Sequence, residues 1–207
     1  MQRTAKLHFF NLLHESDMRL VFWLEICYRK SIPKENNAVG GADMTAWEYV
    51  SPIGPMTLAE ENGALVGAWF EHQKYFPEAL AADRRETEII CQAESWLDAY
   101  FAGKRPDIRL LPLNPKGSAF RRQVWQLLCA IPYGETTTYA ALAAELAKAR
   151  NIPKMSAQAV GGAVAHNPIS VIIPCHRVVG SDGRMTGYAG GLDRKEFLLR
   201  LEGAISE

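Results

Sequence analysis

Disulfide chemistry is the first thing this sequence lacks the means for. Only four cysteines occur in 207 residues. Cys27, Cys91, Cys129 and Cys175 are widely spaced and form no CxxC pair, so neither a secreted disulfide framework nor a structural zinc site is indicated. The five histidines are scattered and do not rescue a metal site. Long apolar runs are missing too. Leu20-Val21-Phe22-Trp23-Leu24 with Ile26 and Cys27 is short, and Asp17 and Glu25 interrupt it, whereas a membrane span needs about 20 apolar residues. No Ala-x-Ala cleavage pattern follows, so no secretory leader is expected. Internal repeats and low-complexity tracts are absent, which excludes repeat architectures. Net charge is also absent, with 23 Lys/Arg against 23 Asp/Glu, and this argues at first against nucleic acid.

The charges that are present are unevenly placed. Residues 45–115 hold 6 Lys/Arg and 11 Asp/Glu, a net −5, while residues 116–205 hold 11 and 6, a net +5. A basic C-terminal half can favour a phosphate backbone even in a neutral molecule, and a solvated surface is the plainer account. With 48% hydrophobic residues the chain can bury one moderate core or two small ones. Lys34-Glu35-Asn36-Asn37 with Gly40-Gly41 reads as a linker. Residues 1–43 therefore read as an accessory extension or as an over-extended gene start ahead of Met44.

Beyond that point the pattern becomes regular. Residues 47–50, 56–59 and 64–70 are strand candidates, and Asn62-Gly63 is a hairpin turn, which together make a small antiparallel sheet. In residues 88–101, Ile89, Ile90, Ala93, Trp96, Leu97 and Tyr100 recur at three- and four-residue intervals, the mark of a helix with one buried face. Residues 104–116 read as a connection. Phe120, Val124, Leu127, Leu128 and Ile131 form a second helical stripe ended by Pro132-Tyr133-Gly134. Thr137 is placed to cap a third helix containing Leu142 and Leu146. Asn151-Ile152-Pro153 breaks the chain, and Ser156 caps a fourth helix containing Ala159, Val160, Ala163 and Val164. Asp193 and Glu196 have the spacing of a capping arrangement for a last helix over 197–201, and Lys195 reads as a solvated lysine.

The chemistry-bearing segment is Ile172-Ile173-Pro174-Cys175-His176-Arg177-Val178-Val179. A thiol beside an imidazole and a guanidinium has surroundings of the kind that lower its pKa and make it nucleophilic. Inert packing is the competing reading for a cysteine in an apolar run. Ser181-Asp182-Gly183-Arg184 forms a turn and Gly187-Tyr188-Ala189-Gly190-Gly191 a glycine-rich loop, so backbone groups can approach a small planar ligand, or simply close a surface loop.

Asn167-Pro168, Pro174-Cys175-His176-Arg177-Val178-Val179, Gly187-Tyr188-Ala189-Gly190-Gly191 and Leu198-Leu199-Arg200-Leu201-Glu202-Gly203 together resemble the methylated-DNA–protein-cysteine methyltransferases. The likeness is strong over residues 115–203 and weaker from Trp47. It implies an α+β fold: a small ribonuclease-H-like α/β domain over 44–111, then a mainly helical alkyltransferase domain with a helix-turn-helix over 112–207. It implies irreversible transfer of a methyl or other small alkyl group from O6-alkylguanine, with O4-alkylthymine as a further substrate, to Cys175. His176, oriented by Glu202, assists deprotonation in the family, and Asn167 holds the segment in register. The second helix of the pair enters the minor groove, so Tyr139, Gln158 and Ala159 become the expected DNA-binding and base-flipping residues. Cys175, Val178, Tyr188 and Ala189 become the guanine pocket. No cofactor and no metal are implied. The partner is double-stranded DNA carrying the lesion, and the protein is expected to be a cytoplasmic monomer that meets the nucleoid through DNA and does not engage a membrane.

Gln158 departs from the family, which places an arginine there to fill the space of the flipped nucleotide. Glutamine fills space and hydrogen-bonds but supplies neither charge nor a guanidinium plane. A five-residue expansion around 147–151 also separates the two helices. These departures motivate an alternative, a DNA-binding lesion sensor with little repair activity.

Overall fold

The computed structural model describes residues 44–78, 80 and 83–206, and the extension at 1–43 lies outside the described residues. Three antiparallel strands come first, β1 (Thr45–Ser51), β2 (Gly54–Glu61) and β3 (Ala64–Phe70), in that spatial order. Asn62 and Gly63 join β2 to β3 with φ of 54° and 75°. A two-residue hairpin whose twist matches its strands needs positive φ at both positions, and these residue types reach it at low cost. Tyr49 lies opposite Met56, which lies opposite Phe70, and Leu58 lies opposite Ala68, so one face of the sheet is apolar. A register shift between Ala59 and Glu60 turns Leu65 onto that same face.

Helix α1 (Glu88–Phe101) covers this face. The hydroxyl of Thr87 accepts from the Ile90 amide to cap it, and Ile90, Ala93, Trp96, Leu97 and Tyr100 are buried, as the spacing predicts. The opposite face carries a smaller cluster of Ala59, Val66 and Trp69.

The second half is helical: α2 (Ala119–Cys129), α3 (Tyr139–Ala149), α4 (Ala157–Ala165) and α5 (Leu192–Leu201). A short parallel pairing of β4 (Thr137–Thr138) with β5 (Val178–Val179) joins the chain before α3 to the chain after Cys175. One expectation is corrected here: both Thr137 and Thr138 lie in this pairing, opposite Val178 and Val179, and the cap of α3 falls to Thr138, which sits directly before the helix and whose hydroxyl accepts from the Ala141 amide. Ser156 caps α4 as expected. The break between α3 and α4 includes Asn151 at φ 51°, and Trp125 donates to the Ala163 carbonyl at 2.9 Å, tying α2 to α4.

Two further expectations fail at α5. The helix begins at Leu192 behind Gly191, which has φ of 95° and supplies no side-chain cap, so Asp193 lies in the first turn, where its charge complements the helix dipole. Lys195 is buried, with its ammonium turned inward. The helix starts a turn early, and that extra turn rotates Lys195 onto its buried face.

Sheet and helices share one core cluster, running from Tyr49 and Phe70 through Trp125 to Ile172 and Leu198. The outer edge of β3 is closed by chain from the second half. Ala68 donates to the Pro168 carbonyl at 2.9 Å and accepts from the Ser170 amide at 2.8 Å, while Leu65 exchanges bonds with Pro112 and Asn114. Among the described residues no helix is long and apolar enough to cross a membrane.

Gly67 is where β3 tolerates no side chain, since an added Cβ would sit 1.7 Å from a Trp69 ring atom. Gly67→Ala should therefore displace the indole and destabilise the fold by about 1–3 kcal/mol, read as a lower urea midpoint at unchanged slope. An unchanged midpoint would show that the ring moves aside freely.

Candidate active site

The loop from α4 to β5 is short of regular structure and rich in constraint. Val171 has φ of 70° and is completely buried, and the Ile172 amide donates across it to the Ser170 carbonyl at 2.9 Å. This is a γ-turn of the strained, positive-φ kind, unusual for a β-branched residue. A second γ-turn follows. Pro174 has φ −81° and ψ 61°, and the Cys175 amide donates to the Ile173 carbonyl at 2.8 Å. Proline is suited to this relaxed form because its ring already fixes φ near that value. The two turns fold the chain tightly enough to set Cys175 at the head of a single 3-10 turn, Cys175–Arg177.

Asn167 holds the loop from inside. Its Nδ2 donates to the carbonyls of Ile169 at 3.2 Å and Ile173 at 2.8 Å and reaches Cys175 Sγ at 3.0 Å, while its Oδ1 accepts from the Ile169 amide at 3.0 Å. Cys175 is buried. Burial pushes its thiol up to about 11, against the opposing pull of the Asn167 hydrogen bond and the Lys195 charge. The expectation that the neighbouring Arg177 lowers this thiol is not met, because that guanidinium points elsewhere.

Arg177 points at Glu202. The carboxylate of Glu202, at the C-cap of α5, collects five donors. Oε1 accepts from Tyr100 Oη at 2.6 Å, His176 Nε2 at 2.7 Å and Arg177 Nη2 at 3.0 Å. Oε2 accepts from Arg177 Nε at 2.8 Å and the Gly134 amide at 3.2 Å. Burial alone would raise this carboxyl, but the bonds from His176, Arg177 and Tyr100 bring it down to about 2. An ionised carboxylate can only accept, so the proton on His176 is assigned to Nε2 from the network. Nδ1 is then the lone-pair nitrogen, and it is buried with no hydrogen bond to another protein group. Burial also lowers the His176 pKa, with Glu202 opposing, so the imidazole rests neutral.

Lys195 is the second buried charge. Its Nζ donates to the carbonyls of Val178 at 2.5 Å and Thr186 at 3.0 Å, and burial lowers it to about 8, with the charge of Cys175 opposing. Thr186 O also accepts from Tyr139 Oη at 3.0 Å, so α3 and α5 grip the glycine-rich loop at one carbonyl.

An open cavity of about 540 Å³ lies over this loop, lined by Tyr139 from α3, Gln158 and Gly161 from α4, and Gly187, Tyr188 and Ala189. Of the expected residues, Tyr139, Gln158, Tyr188 and Ala189 therefore meet at one cavity. Ala159 is exposed on the first turn of α4 and does not line it, and Cys175 and Val178 are buried and do not line it either. A negative charge on Cys175 would raise the phenols of both Tyr139 and Tyr188, so the sulfur is within electrostatic reach of two residues that line the cavity. Sequence reasoning missed Tyr100, which reads as core, and Lys195, which reads as solvent. Nothing in the spacing of either marks it for the site. Lys74 and Tyr75 also line the cavity and carried no sequence signal.

Glu202→Gln removes the carboxylate that faces the buried Arg177 guanidinium and should cost about 3–5 kcal/mol. The Glu202 pKa is depressed in the fold, so its contribution is complete above the ordinary carboxyl range and lost as pH falls from there toward about 2. Urea unfolding at pH 7, 5 and 3 should show wild-type and variant stabilities converging at the lowest pH. A constant gap would show that Glu202 is not the ionised partner.

Residues 48–115 match the family described as 6-O-methylguanine DNA methyltransferase, ribonuclease-like domain, and residues 119–204 match its DNA binding domain. The methylated-DNA–protein-cysteine methyltransferase of Methanosarcina barkeri is 47% identical over 152 residues, covering 73% of this chain and 92% of that one. The protein of the same name from Haemophilus influenzae is 40% identical over 154 residues, covering 74% and 83%. A crystal structure of Mycobacterium tuberculosis OGT in complex with DNA superposes with a TM-score of 0.67 at 37% identity, covering 77% of this chain and 93% of that one. With both halves matched in order by the family's two domains and relatives at 40% and 47% identity covered over most of their length, the chain belongs to the methylated-DNA–protein-cysteine methyltransferase family.

Proposed function

We propose that this protein repairs alkylated DNA by direct reversal, taking a methyl or other small alkyl group from O6 of guanine, and from O4 of thymine, onto Cys175 in a single irreversible turnover. The observation that carries the reading is a buried thiol held by Asn167 at 3.0 Å, followed in the chain by a neutral imidazole whose Nε2 is fixed by Glu202, with Tyr139 and Tyr188 lining a cavity shared with helix α4.

Sulfur attacks the alkyl carbon in line with the bond to guanine oxygen. The S–C bond forms, the C–O bond breaks, and its electron pair stays with the guanine. The thiol proton passes to His176 Nδ1 through a bridging water, and the Glu202 carboxylate stabilises the imidazolium that results. The departing guanine takes a proton from the Tyr139 hydroxyl or from water. Backbone carbonyls of Cys175 and Val178 accept from the guanine exocyclic amine, and the Ala189 amide faces the alkylated oxygen. Tyr188 forms a wall of the base pocket, and Asn167 keeps thiol and DNA-binding helix in register. The thioether product has no resident group to reverse it, and the chemistry requires neither cofactor nor metal.

For DNA binding, α3 and α4 act as the helix-turn-helix. Tyr139 crowds the phosphate of the flipped nucleotide, Ala159 permits close approach to the minor groove, and Gln158 fills the gap in the stack. We assign residues 44–111 and 112–207 as the two domains, with residues 1–43 dispensable for chemistry. We place the protein in the cytoplasm as a monomer, on the nucleoid when DNA-bound. Gln158, in place of the arginine expected there, favours a second reading as a lesion sensor with little transfer.

Mass spectrometry after mixing with O6-methylguanine duplex separates the two. Repair predicts one stable methyl adduct, mapped to Cys175 and abolished in Cys175→Ser. Binding without an adduct would establish the sensor, and modification at Cys27, Cys91 or Cys129 would reject the assignment of the acceptor.

Gln158 is exposed at the cavity rim, so Gln158→Ala should slow single-turnover transfer on duplex DNA by roughly tenfold, about 1.4 kcal/mol, and leave transfer from the free O6-methylguanine base within twofold. Equal losses on both substrates would point to a disturbed pocket.

A further inference from the structure

The chain leaving β3 does something its sheet does not need. Residues 71–76 turn back twice through non-glycine residues of positive φ, His72 at 58° and Tyr75 at 63°. Bulky side chains rarely adopt this conformation, and its cost is of the order of 1 kcal/mol or more each. Gln73 anchors the turn. It is buried, and its Oε1 accepts from the Phe70 amide at 2.9 Å and from the Ser170 hydroxyl at 3.1 Å. The Lys74 amide donates to the Ala189 carbonyl at 2.9 Å. Tyr75, 47% exposed, stacks on His166 at the end of α4, with ring centroids 3.8 Å apart and planes at 23°.

Three independent fastenings thus hold an exposed, strained turn against the DNA-binding half. The result is that Lys74 and Tyr75 share the cavity rim with Gln158, Gly161 and Ala165 of α4. Lys74 is an exposed cation in a segment where acids outnumber bases by 11 to 6. Solvation of an acidic surface does not require a lysine held at this rim.

We propose that the Lys74–Tyr75 turn of the ribonuclease-like domain is a second DNA-contacting element, in which Lys74 neutralises a backbone phosphate of the lesion strand beside the flipped nucleotide. The Tyr75–His166 stack is its strut, fixing the lysine relative to α4 so that both reach the duplex together. The proposal rests on the alkyltransferase reading for the identity of the strand, but the contact itself is one of charge with phosphate. The DNA interface then spans both domains and includes a cation from the acidic one.

A phosphate contact has a signature that a packing role lacks. Each neutralised phosphate contributes about 0.9 to the slope of log affinity against log salt on duplex DNA. Binding of the full chain to a short undamaged duplex, followed by fluorescence anisotropy over a KCl series, should show a slope shallower by about 0.9 in Lys74→Ala than in wild type. Affinity should fall several-fold at low salt, and Lys74→Arg should restore both. Single-turnover transfer from the free O6-methylguanine base should stay within twofold of wild type for Lys74→Ala. An unchanged slope and affinity would overturn the proposal, and so would a loss on the free base equal to that on duplex. If wild type accepts no alkyl group from either substrate, the repair reading fails, while the slopes on undamaged duplex still decide whether Lys74 contacts DNA.

Discussion

A buried carboxylate without partners would be among the most expensive groups a fold can carry, and the arrangement around Glu202 follows from satisfying it. Its five donors come from three separate stretches of chain, Tyr100 on α1, Gly134 after α2, and His176 with Arg177 beside the thiol, all meeting the end of α5. Arg177 adds a bond to the Ile131 carbonyl at 2.6 Å, which extends the network to the end of α2. No subset of these elements can be shifted without leaving a charge or a donor unmatched in a dry interior. The same requirement fixes the chemistry, because a carboxylate held ionised dictates which nitrogen of His176 keeps its proton and therefore which one remains to receive another.

The second constraint is strain, and it lies on the other side of Cys175. Val171 in a left-handed conformation stores energy that the surroundings must offset, and those surroundings are identifiable. Asn167 uses both ends of its amide within the loop, and β3 lends Ala68 to Pro168 and Ser170. The loop has its conformation imposed from both sides, which is how a short irregular segment can hold a sulfur atom in one place. Lys195 adds a fixed positive charge with no carboxylate among its hydrogen-bond partners. In a low-dielectric interior such a charge favours an anion nearby, and the thiolate formed during transfer is the anion at hand.

The regular elements were legible in the sequence because their signals are local. Asn62-Gly63 specifies its own turn, the stripe from Ile90 to Tyr100 specifies a helix and its buried face, and Ser156 specifies the start of α4. Misreadings arose where a distant partner decides. Thr137 and Thr138 are equally sound caps by type, and the start of the helix at Tyr139, just after both have paired with Val178 and Val179 some forty residues away, gives the role to Thr138. Asp193 and Glu196 have capping spacing, yet Gly191 starts the helix. Lys195 reads as solvent because lysine is almost never fully buried, and only the carbonyls of Val178 and Thr186 explain the exception. At the site, the resemblance singled out Cys175, His176, Glu202 and Asn167, and the structure pairs Asn167 with Cys175 and His176 with Glu202. Tyr100 was invisible for the opposite reason. Its spacing announces core, and a core aromatic shows no sign that its hydroxyl ends on a carboxylate 102 positions away.

That hydroxyl bears on how far the two halves are separable. The helical half carries the thiol, the imidazole and the carboxylate, and a purely modular view would make the sheet a passive neighbour. Yet the sheet half supplies the Tyr100 donor to Glu202, the β3 edge that holds the strained loop, and Gln73, which is bonded to Ser170 inside that loop. Each contact acts on a residue within a few positions of Cys175 or on the carboxylate that orients His176. Removing the sheet would therefore expose a charged network and release the loop's strain together, although every residue with a proposed chemical role would remain. The reactive geometry belongs to the contact between the halves, and the acidic half is part of the site it has no nucleophile to contribute to.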